Sequence, residues 1–198
     1  MRFRVVPLLT LLAVACTAET ISPAERQKAL DYLARTGTKL SSSISSLSEA
    51  QWNFKSAPER WSVRQCVEHI AVTEMGVLQR IRGSLSQPAP AGLSVKRDGL
   101  ILQVMPDRSR KATAPAEVAP VGRPEFEKPS QALAAFERAR RATQDFIGST
   151  DADLRTHGLN HFALGDLDAY QWVLFLATHC ERHTKQIEEV MADAGFPK

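Results

Sequence analysis

The chain has 198 residues, with 25 Lys plus Arg against 22 Asp plus Glu and a formal net charge of +3. Two of those cations, Arg2 and Arg4, lie in an amino-terminal segment of distinct composition. Cutting after Ala18 removes both and no acid, which leaves 23 against 22, or +1. The pI of 8.9 therefore gives no argument for nucleic acid, and no basic stripe interleaved with aromatics appears elsewhere.

Residues 1–18 read as a leader. Arg2 and Arg4 form a positive start, Val5 to Ala15 is an apolar run of 11, and Ala13-Val14-Ala15 supplies the small residues a signal peptidase needs. A run of 11 is too short to span a bilayer. Cys16 follows the small residues as in a loose bacterial lipobox, with Ala13 in the place where Leu is usual. The segment thus fits both plain cleavage near Ala15 or Ala18 and lipidation at Cys16. Either route predicts an exported protein of the periplasm or cell envelope, with membrane anchoring if Cys16 is lipidated. Residues 19–198 then form one domain with a single core.

Ser22-Pro23-Ala24-Glu25 is a capping box with Pro at the first helical position, and it predicts a helix to about Ile44 or Leu47. Ser48 to Gln51 is a second box, opening a short turn that carries Trp52 and Phe54 and ends by Pro58. Ser62 to Gln65 opens the second long helix, with Trp61 placed to staple onto its first turn. Val63, Val67, Ile70, Val77, Leu78 and Ile81 recur at helical spacing as its buried stripe, and Gly83 closes it. At 100° per residue His69 falls on the shoulder of this stripe, whereas Glu74 falls almost at its centre.

Seven of the eleven prolines lie in residues 84–129, which excludes a continuous helix there. Its apolar run, Leu100 to Met105, reads as a short strand or a helical turn. The segment is expected to be a long crossover, compatible with a parallel connection between helices. Ser130 is expected to cap a third long helix with Leu133, Phe136, Ala139/Arg140, Thr143 and Phe146/Ile147 on one face, ending at Gly148. Residues 149–166 read as a polar loop. The fourth helix is expected from Asp168 to Ala194, with Gly195 as its C-cap. The predicted fold class is all-α, a four-helix bundle with a long crossover between helices 2 and 3.

Trp172, Leu176, His179, His183, Ile187 and Val190 share one face of that last helix, so two histidines sit in the middle of its apolar stripe. Residues four apart bring their side chains together, about 6 Å apart at Cβ, so both imidazoles can address one ion. A buried imidazole needs a partner for each nitrogen, and a metal satisfies one nitrogen of each ring at once. With a third imidazole from a neighbouring helix the set would be that of a catalytic site, because one coordination position stays open. In His179-Cys180-Glu181-Arg182-His183 the Glu stands two after the first His, not one, so this is not a zincin helix. Glu181 is expected to point away into solvent.

Glu74 has two readings. A carboxylate in an apolar stripe either pairs with an Arg, or serves the site by orienting a ligand histidine or acting as a general base. Cys66 and Cys180 read as small core residues. His157 and His161 flank Gly158 without apolar periodicity and read as loop residues, with His161 able to reach a pocket rim. Gln186, three after His183, is placed to hydrogen-bond at the site's edge.

Trp61-Ser62-Val63 followed by His69, the stretch Leu164-Gly165-Asp166-Leu167 into Tyr170-Gln171-Trp172, and above all the segment from His179 to Ile187 resemble the DinB-like superfamily. Asp107-Arg108, Lys111, Ala114-Pro115 and Phe196-Pro197 extend the likeness over essentially the whole mature chain. The resemblance implies a four-helix bundle with a long crossover. It also implies a divalent metal (zinc, nickel or iron) held by His69, His179 and His183. Relatives of that kind include S-transferases using low-molecular-weight thiols such as bacillithiol or mycothiol, and a thiol-dependent maleylpyruvate isomerase. Those thiols belong to the cytosol, so an export segment favours hydrolysis over thiol transfer. The expectation is a metal-dependent enzyme of hydrolase or S-transferase type acting on a small molecule. Its alternative is a non-catalytic, metal-stabilised envelope module.

Overall fold

The computed structural model describes residues 21–88, 93, 97–109, 114, 119 and 125–198. The leader expected over residues 1–18, Cys16 with it, and much of the crossover lie outside the described residues. Side-chain caps set the starts of most of the helices. Ser22, Ser48, Ser62 and Asp168 each accept a hydrogen bond from the backbone N–H three residues on. They open α1 (Pro23–Ile44), α2 (Glu49–Asn53), α3 (Val63–Leu85) and the last helix, α6 (Ala169–Met191). Each cap satisfies an N–H that the first turn otherwise leaves unpaired.

The apolar run in the crossover is helical, α4 (Asp98–Val104). The third bundle helix, α5 (Pro129–Ser149), starts two residues before the expectation, with Lys128 and not Ser130 as its N-cap. Pro129 takes the first helical position, where its fixed φ suits the helix, and the Lys128 N–H donates to the Gln131 side chain at 2.9 Å. α6 ends three residues earlier than expected: the Ala192 N–H folds back onto Glu188 O and Val190 O, and residues 193–195 are turn, not helix.

Residues 149–166, read as loop, instead contain most of an antiparallel hairpin, β1 (Gly158–His161) with β2 (Gly165–Asp168). Two glycines make it possible. A Cβ on Gly158 would stand 2.2 Å from the Leu167 carbonyl, and Gly165 has φ +72°. The Trp172 indole N–H donates to Leu159 O at 3.0 Å and fastens the hairpin to α6.

Side-chain pairings give the direction of every bundle helix. α1 and α6 run parallel, with Tyr170 on Glu25, Tyr32 on Glu181 and Lys39 on Glu188. α3 and α5 are also parallel, with Glu74 on Arg140 and Arg82 over Phe146. α3 and α6 are antiparallel, since His69 meets His179 while Arg80 lies over Trp172. α1 packs on α5 and α6, and α3 packs on the same two, so α1 and α3 are diagonal, as are α5 and α6. The parallel α3 and α5 pair is what requires a long crossover.

Two apolar clusters fill the bundle, one around Leu33, Ile81, Ile147 and Leu174, the other around Leu40, Ile70, Phe136 and Ile187. Each such buried side chain contributes roughly 1.5–3 kcal/mol relative to exposure. At the waist sits Arg140 of α5. It donates to both Glu74 carboxylate oxygens of α3 at 2.8 and 2.9 Å, to Leu33 O and Thr36 Oγ1 of α1, and to Leu176 O of α6.

Candidate metal centre

Antiparallel packing of α3 on α6 brings His69 against the pair His179 and His183. The three candidate ligand atoms lie within 4.8 Å of one another, and all three residues are buried. His69 Nε2 and His179 Nε2 are 3.0 Å apart. Tetrahedral ligation at Zn–N distances of ~2.0–2.1 Å places neighbouring nitrogens about 3.3 Å apart, so small ring rotations fit these donors to such an ion. His183 Nδ1 lies 2.9 Å from Gln186 Oε1. Only a protonated Nδ1 can donate to that carbonyl oxygen, which leaves the lone pair on Nε2 for a ligand. The position of Gln186, three residues past His183 on a helix, had pointed to this contact.

Aromatic rings fix the imidazoles. Trp61 stacks on His183 with centroids 5.8 Å apart at 16°, and meets His69 edge-on at 5.0 Å. Phe175 packs on His179 at 5.1 Å. The local pattern places Trp61 as a staple on the first turn of α3; its place over the site depends on α6, which that pattern does not contain.

The electrostatics favour neutral rings. Burial, then the proximity of His183 and His69, holds His179 well below the ordinary imidazole range. Burial, then His69, depresses His183 in the same way, with Arg108 and Arg182 adding to it and the Gln186 hydrogen bond opposing. Neutral imidazole is the ligating form.

No cysteine or carboxylate joins the cluster among the described residues. Cys66, three residues before His69, is wholly buried in the apolar core, and that burial pushes its thiol up to about 12. Glu74 adopts the paired reading: both its oxygens face the Arg140 guanidinium, and it is 1% exposed. Its service as a base or as an orienter of histidine finds no contact here. Glu181 turns away from the histidines as expected, and its side chain is partly exposed. Tyr32 Oη donates to it at 2.5 Å and Lys185 bridges to it at 2.8 Å.

His157 lies against the Asp153 carbonyl, away from the cluster. His161, at the end of β1, packs instead on Trp172 and Phe175, the latter next to His179. Two surface hollows of about 620 and 720 Å³ flank α1, and neither is lined by any of these histidines.

The DinB superfamily model matches residues 32–187, which takes in all three histidines. The chain belongs to the DinB superfamily. Among curated proteins, this DinB member is 24% identical over 147 residues to the uncharacterized protein YuaE of Bacillus subtilis (strain 168), covering 74% of this chain and 87% of YuaE. Among solved structures it is similar to YfiT from Bacillus subtilis, described as a probable metal-dependent hydrolase with an unusual four-helix bundle topology. That match has a TM-score of 0.65 at 18% identity and covers 90% of this chain and 93% of YfiT. The four-helix bundle expected for a DinB protein is the fold found.

Proposed function

We propose that this chain is an exported metal-dependent hydrolase, in which His69, His179 and His183 hold a divalent ion through Nε2. The observation that carries the reading is the convergence of three buried imidazoles with no fourth protein ligand beside them among the described residues. A structural zinc site closes its fourth position with a protein ligand, whereas a three-histidine set leaves it to water or substrate. YfiT's description as a hydrolase points the same way. An ion held there acts as a Lewis acid and makes a coordinated nucleophile available near neutral pH.

The chain's own contribution is to hold that site in one geometry. Gln186 fixes the His183 tautomer, and Trp61 and Phe175 brace the rings from two sides. The buried His179 and His183 rings resist protonation that would compete with the ion. Hydrolysis, not thiol transfer, is the reaction assigned, because the leader-like segment of residues 1–18 would take the protein away from cytosolic thiols. Zinc, nickel and iron all suit the imidazole donors.

The test is metal content of the mature protein, purified without a histidine tag, beside His69→Ala and His183→Ala. Stoichiometric metal lost in both variants, with ester or amide hydrolysis abolished in His179→Ala, is expected. A metal-replete protein that binds none sinks the reading. So does hydrolysis that survives His179→Ala.

A further inference from the structure

The three-histidine cluster is closed. His69 is 4% exposed and His179 and His183 are 7% exposed each, and the two hollows described above lie along α1. Nothing reaches the rings unless part of their cover moves. Helix geometry names the walls of that cover. Viewed down α6 at 100° per residue, Cys180 and Glu188 turn one way from His183, by about 60° and 140°, and meet Thr36 and Lys39 of α1. Gln186, Arg182 and Glu189 turn the other way, by about 60°, 100° and 120°. On Arg182 and Glu189 lies the stretch that follows α4. α3 fills the direction between, with His69 on His179.

These walls are held by different forces. Trp61 and Phe175, which touch the rings, are each packed into one of the two apolar clusters. In the stretch after α4, Ile101 and Pro106 are buried and anchor the start, but Asp107 and Ser109 are exposed. Its described contacts with α6 are polar. Arg182 donates to Met105 O at 3.3 Å and to Asp107 O, and Lys185 donates to Pro106 O at 3.3 Å. Arg108 then donates through Nε and Nη2 to the two Glu189 carboxylate oxygens, at 3.1 and 2.8 Å. The charge of Arg108 bears both on His183 of α6 and on Cys66 of α3, three residues before His69. Its guanidinium therefore stands by the seam where the two helices bring the histidines together. The Glu189 side chain is 54% exposed, and exposed ion pairs contribute little to stability.

We infer that residues 106–109 are a strap over the three-histidine cluster, fastened by the Arg108–Glu189 clasp, and that release of this clasp admits what enters the site. Opening the strap asks polar groups to exchange their partners for water. Moving Trp61, Phe175 or a whole helix would instead expose apolar surface, so the strap is the part of the cover that opens most readily. The closure stands on these contacts alone. What enters, an ion and then a hydrolysable substrate, rests on the proposed hydrolase.

The test reads access to the rings directly. Metal-free protein at neutral pH is treated with diethyl pyrocarbonate, which acylates neutral imidazoles. Each histidine is followed by peptide mass spectrometry, with the partly exposed His157 as internal reference. The wild type is expected to label far more slowly at His69, His179 and His183 than at His157. Arg108→Gln and Glu189→Gln should each speed labelling of the cluster by about two- to fivefold, the gain that loss of one exposed ion pair allows, with the unfolding midpoint in place. Lys39→Gln breaks an exposed pair on the α1 flank of the same helix and should leave the rate at the wild-type value. Added salt should speed the wild type but not Arg108→Gln, because screening acts on the clasp. In zinc-loaded protein the two clasp variants should speed loss of the ion to a chelator by a similar factor. Cluster labelling as fast as that of His157 in the wild type, a rate unmoved by Arg108→Gln, or an equal gain in Lys39→Gln overturns the strap. So does zinc loss that neither clasp variant changes. A protein that takes up no zinc sinks the hydrolase, and the labelling arm then decides the strap by itself.

Discussion

Arg140 touches all four bundle helices from one position, and its charge is balanced by Glu74, itself 1% exposed. Breaking a buried pair leaves one charge without compensation, which costs about 3–5 kcal/mol. Glu74→Ala is therefore expected to lower unfolding stability by that order in urea denaturation, while metal content per folded molecule stays at the wild-type value. Loss of metal with unchanged stability would instead return Glu74 to the metal centre. The sequence carried half of this: a carboxylate in the middle of an apolar stripe requires a partner, and Arg140 stood on the stripe of the third helix. It did not tell which helix Arg140 faces. His69 shows the same gap. It lies on the shoulder of its own stripe, yet is 4% exposed, because α3 packs on α5 and α6 at once and its buried arc is wider than one stripe. For His179 and His183 the local period was enough, since they lie at the centre of their face.

Elements are tied together at one end by Arg155, which follows α5 and precedes the hairpin. It bridges to Glu25 of α1, to Asp98 of α4 and to Asp168 at the start of α6, and lies 4.2 Å over the Tyr170 ring. Burial alone would raise the Glu25 carboxyl, but hydrogen bonds from Arg155 and Ser22 outweigh it and bring it to about 2, from 4.5. A depressed carboxyl contributes stability above its unfolded pKa and loses it as pH falls through the folded value. Asp98 acts in the same sense, while Asp168, raised by burial to about 6, acts in the opposite one. Glu25→Gln removes only the Glu25 part. The stability difference between wild type and this variant is expected to be full at neutral pH and to shrink as pH drops from about 4.5 to 2. A difference that stays constant over that range in urea titrations would show the carboxylate to be idle. The hairpin at this end was not legible in the sequence. Its strands are four residues each, both begin with Gly, and their pairing depends on how closely Gly158 approaches the Leu167 backbone. The caps that open α1, α2, α3 and α6 are local chemistry and were read directly.

Across the whole molecule, an ion at the three histidines would bind the native state and have no such site in the unfolded chain. Ligand at a thousandfold excess over its Kd stabilises by about 4 kcal/mol. In a domain of this size that corresponds to a rise in Tm of roughly 10 °C. Zinc is expected to raise the Tm of the wild type by that order and to leave His183→Ala unmoved; a zinc-independent wild-type Tm would exclude ion binding by the folded form. Bundle class and crossover were legible because helical periods and prolines are local. The diagonal placement of α1 and α3 was not, because helix sequences do not record which neighbours they face.

That placement also orders events in time. His69 and His179 are separated by 110 residues, and α3 meets α6 only when the last helix docks. At translation rates of ~5–20 residues per second, roughly 5–20 s pass between synthesis of the first histidine and of the second. Throughout that interval His69 stands without its two partners on α6, so the nascent chain has no three-histidine set to offer a passing metal. An ion bound by the three histidines would thus be chosen wherever the chain completes its folding.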